Sequence, residues 1–178
     1  VGIVFGGRSN EHEISVKSAH YIVENLSLTN NNATCFSINK QGKWLHHKHF
    51  HTLKEQLNTS LLETCITPDT LKALLKCDII MPILHGPYGE DGMIQGFLET
   101  LNKAYIGPDY QSASLCMDKV KIKRLARDGG IPTLPFVDFS IESWQEDSES
   151  CLDAINLELK FPIIIKPVHG GSSIGISK

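Results

Sequence analysis

The chain has 178 residues, 41% of them apolar and 21% charged, which supplies a substantial core and argues against disorder. Seventeen Lys and Arg against twenty Asp and Glu leave a formal charge of -3, so there is no electrostatic footprint for nucleic acid or an anionic membrane, and small molecules are the expected partners. No apolar run approaches the roughly 20 residues of a membrane helix, no basic segment precedes an apolar leader, and Cys35, Cys65, Cys77, Cys116 and Cys151 form no Cys-x-x-Cys pair, so a cytoplasmic location with reduced thiols is expected.

Val1 to Phe5 is an apolar run broken at Gly6-Gly7, which predicts a strand and a tight turn. Asn10 and Glu13 have capping-box spacing, and Ala19, Ile22, Val23 and Leu26 recur at helical spacing, so a helix is expected from about Glu11. Ala33 to Ile38 alternates as a strand, and Lys40 to Lys43 supplies turn chemistry before Trp44-Leu45. Leu53, Leu57 and Leu61, and then Leu71, Leu74 and Leu75 after Pro68, suggest helical pieces.

Asp78 to Leu84 has the continuous apolar pattern of a strand covered on both faces in a parallel sheet, and it ends at His85-Gly86-Pro87-Tyr88-Gly89-Glu90-Asp91-Gly92. A helix through Ile94, Phe97, Leu98 and Leu101 and a short strand at Ala104 to Gly107 would complete a β-α-β unit. The fold class expected is therefore α/β, with a doubly wound parallel sheet over residues 1–117. A second unit, 118–178, opens with a helix from Met117-Asp118-Lys119 to Arg127, stopped by Gly129-Gly130-Ile131-Pro132. It continues as a strand at Leu134 to Phe139, a helix at Trp144 to Leu159 and a buried strand at Phe161 to Ile165. So few strands are not expected to close a core, so this domain is read as incomplete.

Several groups of residues suggest chemistry. Lys166 and Gly170-Gly171-Ser172-Ser173 offer a charge, two hydroxyls and main-chain N–H groups, suited to a polyphosphate such as that of ATP. The spacing is not that of a P-loop, and the alternative is an ordinary hairpin loop. Glu11, with Ser9 and Ser15 nearby, opens a helix beside the glycine turn, where a carboxylate binds an ammonium or merely complements the helix dipole. His85 follows a buried strand, where open α/β sheets place ligand groups; a loop histidine bonded to backbone is the alternative. Glu90-Asp91-Gly92 reads equally well as turn chemistry. The tract His46-His47-Lys48-His49-Phe50-His51 has no structural metal spacing and is assigned no role.

Together, Phe5 to Ser15, Leu84 to Gly92, Met117-Asp118-Lys119, and Ile165-Lys166-Pro167 with Gly171 to Gly175 closely resemble the D-alanine-D-alanine ligase family, in the family's order and across the whole chain. The resemblance implies a Rossmann-like N-terminal domain over 1–117 and the first part of an α+β ATP-grasp central domain over 118–178. It implies a cytoplasmic homodimer that joins two D-alanine molecules through an acyl phosphate for peptidoglycan synthesis, using ATP and Mg²⁺. Glu11, Ser15 and His85 would bind substrate, with Glu11, His85 and Ser172 catalytic. Lys119, Lys166, Gly171, Ser172 and Ser173 would contact ATP, and the flap bearing Ser172 would close over the phosphates. The Mg²⁺ ligands would lie outside these residues, and the 178 residues alone would not ligate D-alanine.

A D-alanine-D-lactate ligase remains as the runner-up. Two other classes are a nicotinamide-dependent dehydrogenase, although G-x-G-x-x-G is absent after the first strand, and an inactive fragment that only binds.

Overall fold

The computed structural model describes residues 1–47 and 65–178. The helical pieces expected around Leu53, Leu57 and Leu61, and the histidine tract from Lys48 to His51, lie outside the described residues. The chain separates into two compact units, Val1–Leu115 and Cys116–Lys178.

In the first unit a sheet has the order β3-β2-β1-β4. Its centre is β1 (Gly2–Gly6), buried throughout, which pairs in parallel with β2 (Thr34–Ile38) on one side and β4 (Ile80–Pro82) on the other. Successive side chains of a strand point to opposite faces, and both faces here are covered, which explains the unbroken apolar run at the start of the sequence. Ile3 and Phe5 pack with Cys35 and with Ala19 and Val23 of α1 (His12–Leu26). Val4, Phe36 and Ile38 pack on the other side with Leu74 of α2 (Pro68–Lys76) and with Ile94 and Leu98 of α3 (Met93–Thr100). The chain leaves β1 for β2 and returns to its other edge as β4, and this reversal opens a crevice at the carboxyl ends of the strands.

An antiparallel edge strand, β3 (Trp44–His47), returns along β2 through a turn in which Asn39 Oδ1 accepts from the main-chain N–H groups of Gln41 (3.0 Å) and Lys43 (2.9 Å). The buried His47 ring stacks on Phe5 and places Nε2 2.7 Å from Ser37 Oγ, while Nδ1 has no hydrogen-bond partner among the described residues. Burial, assisted by the charge of His46, pushes its pKa down to about 4.

Local chemistry explains the helix ends. The expected capping box does not form: α1 has Glu11 at its N-cap position with no side-chain capping bond to the helix N–H groups, and Glu13 instead meets Lys40 at 3.2 Å. Thr67 caps α2, accepting from Thr70 N, with Pro68 in the first turn, and Lys103 Nζ donates to the carbonyls of Leu75 and Cys77 at its other end. The strand expected at Ala104 to Gly107 shrinks to one parallel bridge, Ile80 to Tyr105. Gly107 turns the chain at φ 136, and Pro108 has no N–H with which to extend the ladder. Asp109 then opens α4 (Tyr110–Met117), which the sequence pattern does not predict, its Oδ1 accepting from Ser112 N at 2.7 Å.

The second unit begins with α5 (Lys119–Asp128), as expected. The single helix expected from Trp144 to Leu159 is divided into α6 (Ile141–Glu146) and α7 (Ser148–Glu158), because Asp147 leaves the helical backbone and accepts from Ser150 N at 3.0 Å. The expected strands at Leu134 to Phe139 and Phe161 to Ile165 do not form, and the second is not buried. Leu134 is 79%, Phe161 75% and Ile165 62% exposed, and the pairing is one antiparallel bridge between Ile165 and Ser177. A run apolar on both faces needs neighbouring strands and a covering layer, which this unit does not supply. Among the described residues no helix is long and apolar enough to cross a membrane.

Candidate functional site

In the first unit the site is built where β1 gives way to α1. Gly6 and Gly7, at φ 88 and 94, turn the chain sharply in a backbone region that favours glycine. Ser15, one turn into the helix, is fully buried; its hydroxyl accepts from Gly6 N at 2.7 Å and donates to the carbonyl of Ile83. Although Ser15 is expected among the substrate residues, its hydroxyl is engaged by main chain and ties the ends of β1 and β4 to α1. His12 Nδ1 lies 2.7 Å from the carbonyl of Gly7, which requires the proton on that nitrogen.

Glu11 meets the loop that carries His85 across this turn. A methyl group built on Gly86 would lie 2.5 Å from Glu11 Oε2, so only glycine lets the carboxylate rest against the loop. Ser9 Oγ donates to the carbonyl of His85 at 2.6 Å and accepts from Glu11 N at 3.1 Å. His85 Nε2 lies 3.3 Å from Ser18 Oγ. The loop beyond is held by its own acids: Glu90 Oε2 accepts from Gly86 N at 2.8 Å, and Asp91 accepts from Tyr88 N and Met93 N. The turn-chemistry reading of Glu90-Asp91 therefore holds. The Arg8 guanidinium sits 4.6 Å above the Tyr88 ring, beside a cavity of about 300 Å³ whose lining includes Gly7, Trp44, His85 and Phe97. A carboxylate at a helix start, resting on the loop that carries an imidazole at the carboxyl end of a strand, offers an acceptor for an ammonium, and the imidazole a donor for a carboxylate. That is a complementary pair for an amino-acid zwitterion.

In the second unit Asp118 caps α5, accepting from Val120 N at 3.1 Å and Lys121 N at 2.9 Å, and the bond from Lys121 N leads the causes that hold its carboxyl below the usual range. That fixes Lys119, whose Nζ donates to the carbonyls of Gly170 (2.7 Å) and Val168 (3.3 Å) and whose N–H meets the Val168 carbonyl at 3.1 Å. Lys119 thus stands at the root of the flap. Lys166 is exposed, just beyond the bridge at Ile165, and Gly171 to Ser173 form the flap's tip. Ser172 and Ser173 hold consecutive left-handed backbones, φ 49 and 60, a conformation costly for residues with a Cβ and one that clusters at ligand clamps.

Sequence reasoning assigns no role to Ser18 and treats Ser9 only as a neighbour of Glu11. One signal was available for Ser18: Glu11, Ser15 and Ser18 recur at the spacing of a single helix face. None was available for Ser9, because its partner lies 76 residues away.

A family model described as D-ala D-ala ligase N-terminus matches residues 1–108, and one described as D-ala D-ala ligase C-terminus matches 125–178. The chain is 36% identical to the D-alanine--D-alanine ligase of Natranaerobius thermophilus over 193 aligned residues, covering 100% of this chain and 52% of that protein. It is 41% identical to the bifunctional enzyme MurC/Ddl of Chlamydia pneumoniae, covering 99% of this chain and 21% of that protein. The chain thus spans about half the length of the former and about a fifth of the latter. Among solved structures, the VanG D-Ala:D-Ser ligase of Enterococcus faecalis superposes with a TM-score of 0.75 at 28% identity, over 99% of this chain and 54% of that one. The D-alanine-D-alanine ligase of Coxiella burnetii gives 0.69 at 29% identity, over 99% and 53%. The fold is α/β, an N-terminal Rossmann-like domain followed by the start of an ATP-grasp domain. With both family models matched in order, over residues 1–108 and 125–178, the chain belongs to the D-alanine-D-alanine ligase family.

Proposed function

We propose that the protein containing these residues joins two D-alanine molecules at the expense of ATP, through an acyl phosphate, to make D-alanyl-D-alanine for peptidoglycan. The contact of Glu11 with the loop that carries His85 is the observation that carries this reading. Residues 1–117 are assigned to substrate binding and 118–178 to the first part of the nucleotide-binding domain. Cytoplasmic location and a homodimer belong to the same reading.

Glu11 accepts hydrogen bonds from the ammonium of the first D-alanine, and His85 orients its carboxylate. Ser15 supports both by holding the ends of β1 and β4. The flap's donor set suits a polyphosphate: the ammoniums of Lys119 and Lys166, the hydroxyls of Ser172 and Ser173, and the glycine-rich backbone at Gly171. ATP, when bound, supplies the phosphoryl group that activates the carboxylate. Lys119 and Lys166 offset charge on the transferring group, Ser172 lies on the flap that closes over it, and the flap excludes water that would hydrolyse the activated carboxylate. Among the described residues no group of three or more His, Cys, Asp or Glu could hold a metal ion by itself; the Mg²⁺ that the reading implies is assigned to carboxylates outside these residues, and no step is routed through it.

The test is ADP release by the full-length protein, with ATP and D-alanine omitted in turn and D-lactate or D-serine offered as second substrate. ADP release that requires both ATP and D-alanine, with D-alanyl-D-alanine as the product mass, is expected. Glu11→Gln should raise the KM for D-alanine at least about tenfold through loss of the charge-assisted bond. No D-alanine-dependent ADP release overturns the reading, and a product formed only with D-lactate replaces it with the runner-up.

A further inference from the structure

Glu11 and His85 are useful to one substrate only if their separation is fixed, yet they belong to segments far apart in the chain. Ser9 joins them. Its hydroxyl uses both of its capacities at once, donating to the His85 carbonyl at 2.6 Å and accepting from Glu11 N at 3.1 Å, and the residue is 8% exposed. The absence of a side chain at Gly86 completes the contact from the other side, and Ser18 Oγ meets the imidazole at 3.3 Å. An alanine at position 9 would leave a main-chain N–H and a carbonyl without this partner at the point where the ammonium and carboxylate of the substrate are to be read. Ser15 performs a comparable bridge between Gly6 N and the Ile83 carbonyl, but its bonds set strand ends, whereas those of Ser9 set the two substrate-facing residues themselves.

We propose that Ser9 is a positioning residue for the first D-alanine, acting through Glu11 and His85 by holding the start of α1 against the loop that carries the histidine. The proposal rests on the ligase reading. Steady-state kinetics of the full-length protein with Ser9→Ala, Ser9→Cys and Ser9→Thr test it, alongside the Tm of each variant. Ser9→Ala should raise the KM for the first D-alanine about tenfold while leaving the KM for ATP within about twofold. Ser9→Cys, which keeps the volume and weakens both bonds, should fall between it and the wild type, and it carries the test if the alanine variant does not fold. Ser9→Thr, which keeps the hydroxyl, should restore the wild-type value. An unchanged KM for D-alanine in both weakened variants overturns the proposal. So does a parallel rise in both KM values that tracks Tm and is not rescued by threonine, because that is the behaviour of a merely structural serine. A wild-type protein without D-alanine-dependent activity instead overturns the ligase reading, and this role falls with it.

Discussion

His47 carries a titratable ring into the sheet, and its depressed pKa ties stability to pH with a definite sign. The ordinary histidine value is 6.5 and the folded value about 4, so between them the unfolded chain holds a proton that the folded chain refuses. The resulting stabilisation is complete above about pH 6.5 and is lost as pH falls toward 4. Urea unfolding of wild type and His47→Gln at pH 7.5 and 4.5 should show the wild type losing about 2 to 3 kcal/mol more than the variant across that interval. Equal losses would show that the ring is solvated. The sequence does not disclose this residue, because its histidine-rich surroundings look like a solvated loop, whereas pairing with β2 draws it inside. Glu11 and His85 are legible as chemistry at element ends, but the division of labour among the serines is not. Ser9, Ser15 and Ser18 look alike in the motif, and only partners distant in sequence separate a strand staple from a site brace.

At the scale of elements, what can be read from sequence follows what each element needs in order to form. Helix α2 announces itself through Thr67, Pro68 and its leucines because caps and periodicity are local. Thr67→Ala should therefore lower stability by about 1 kcal/mol, visible as a reduced urea midpoint with an unchanged slope. No shift would mean that the N–H of Thr70 finds another acceptor. Strands β1 and β4 are equally plain as apolar runs and β2 as an alternating one, because this unit contains the strands and helices that cover them. The runs at Leu134 to Phe139 and Phe161 to Ile165 are read from the same pattern and fail because the pattern reports apolarity and cannot report whether neighbours are at hand. The division of α6 from α7 had a local sign, Asp147 three residues before Ser150, an N-cap pair that the longer apolar period obscured.

Across the described residues the core is unevenly distributed. Among the described residues the first unit holds two clusters of buried apolar side chains, whereas Asp118, at 6% exposure, is the one buried residue among Cys116–Lys178. In this polypeptide the amides of β1 and β2 should exchange with deuterium at least about a hundredfold more slowly than those of α5 to α7, read by mass spectrometry of peptic fragments. Uniform protection would mean that the second unit has a core of its own. The Ser9 bridge has a further consequence for how the site comes into being. Ser9 and the His85 carbonyl that it binds are 76 residues apart, so while the chain emerges from the ribosome the start of α1 lacks this contact until β4 and the histidine behind it have left the exit tunnel. Any shorter nascent chain carries its glutamate on an unfinished edge, because the Ser9 contact to the loop behind β4 closes only once that loop is present.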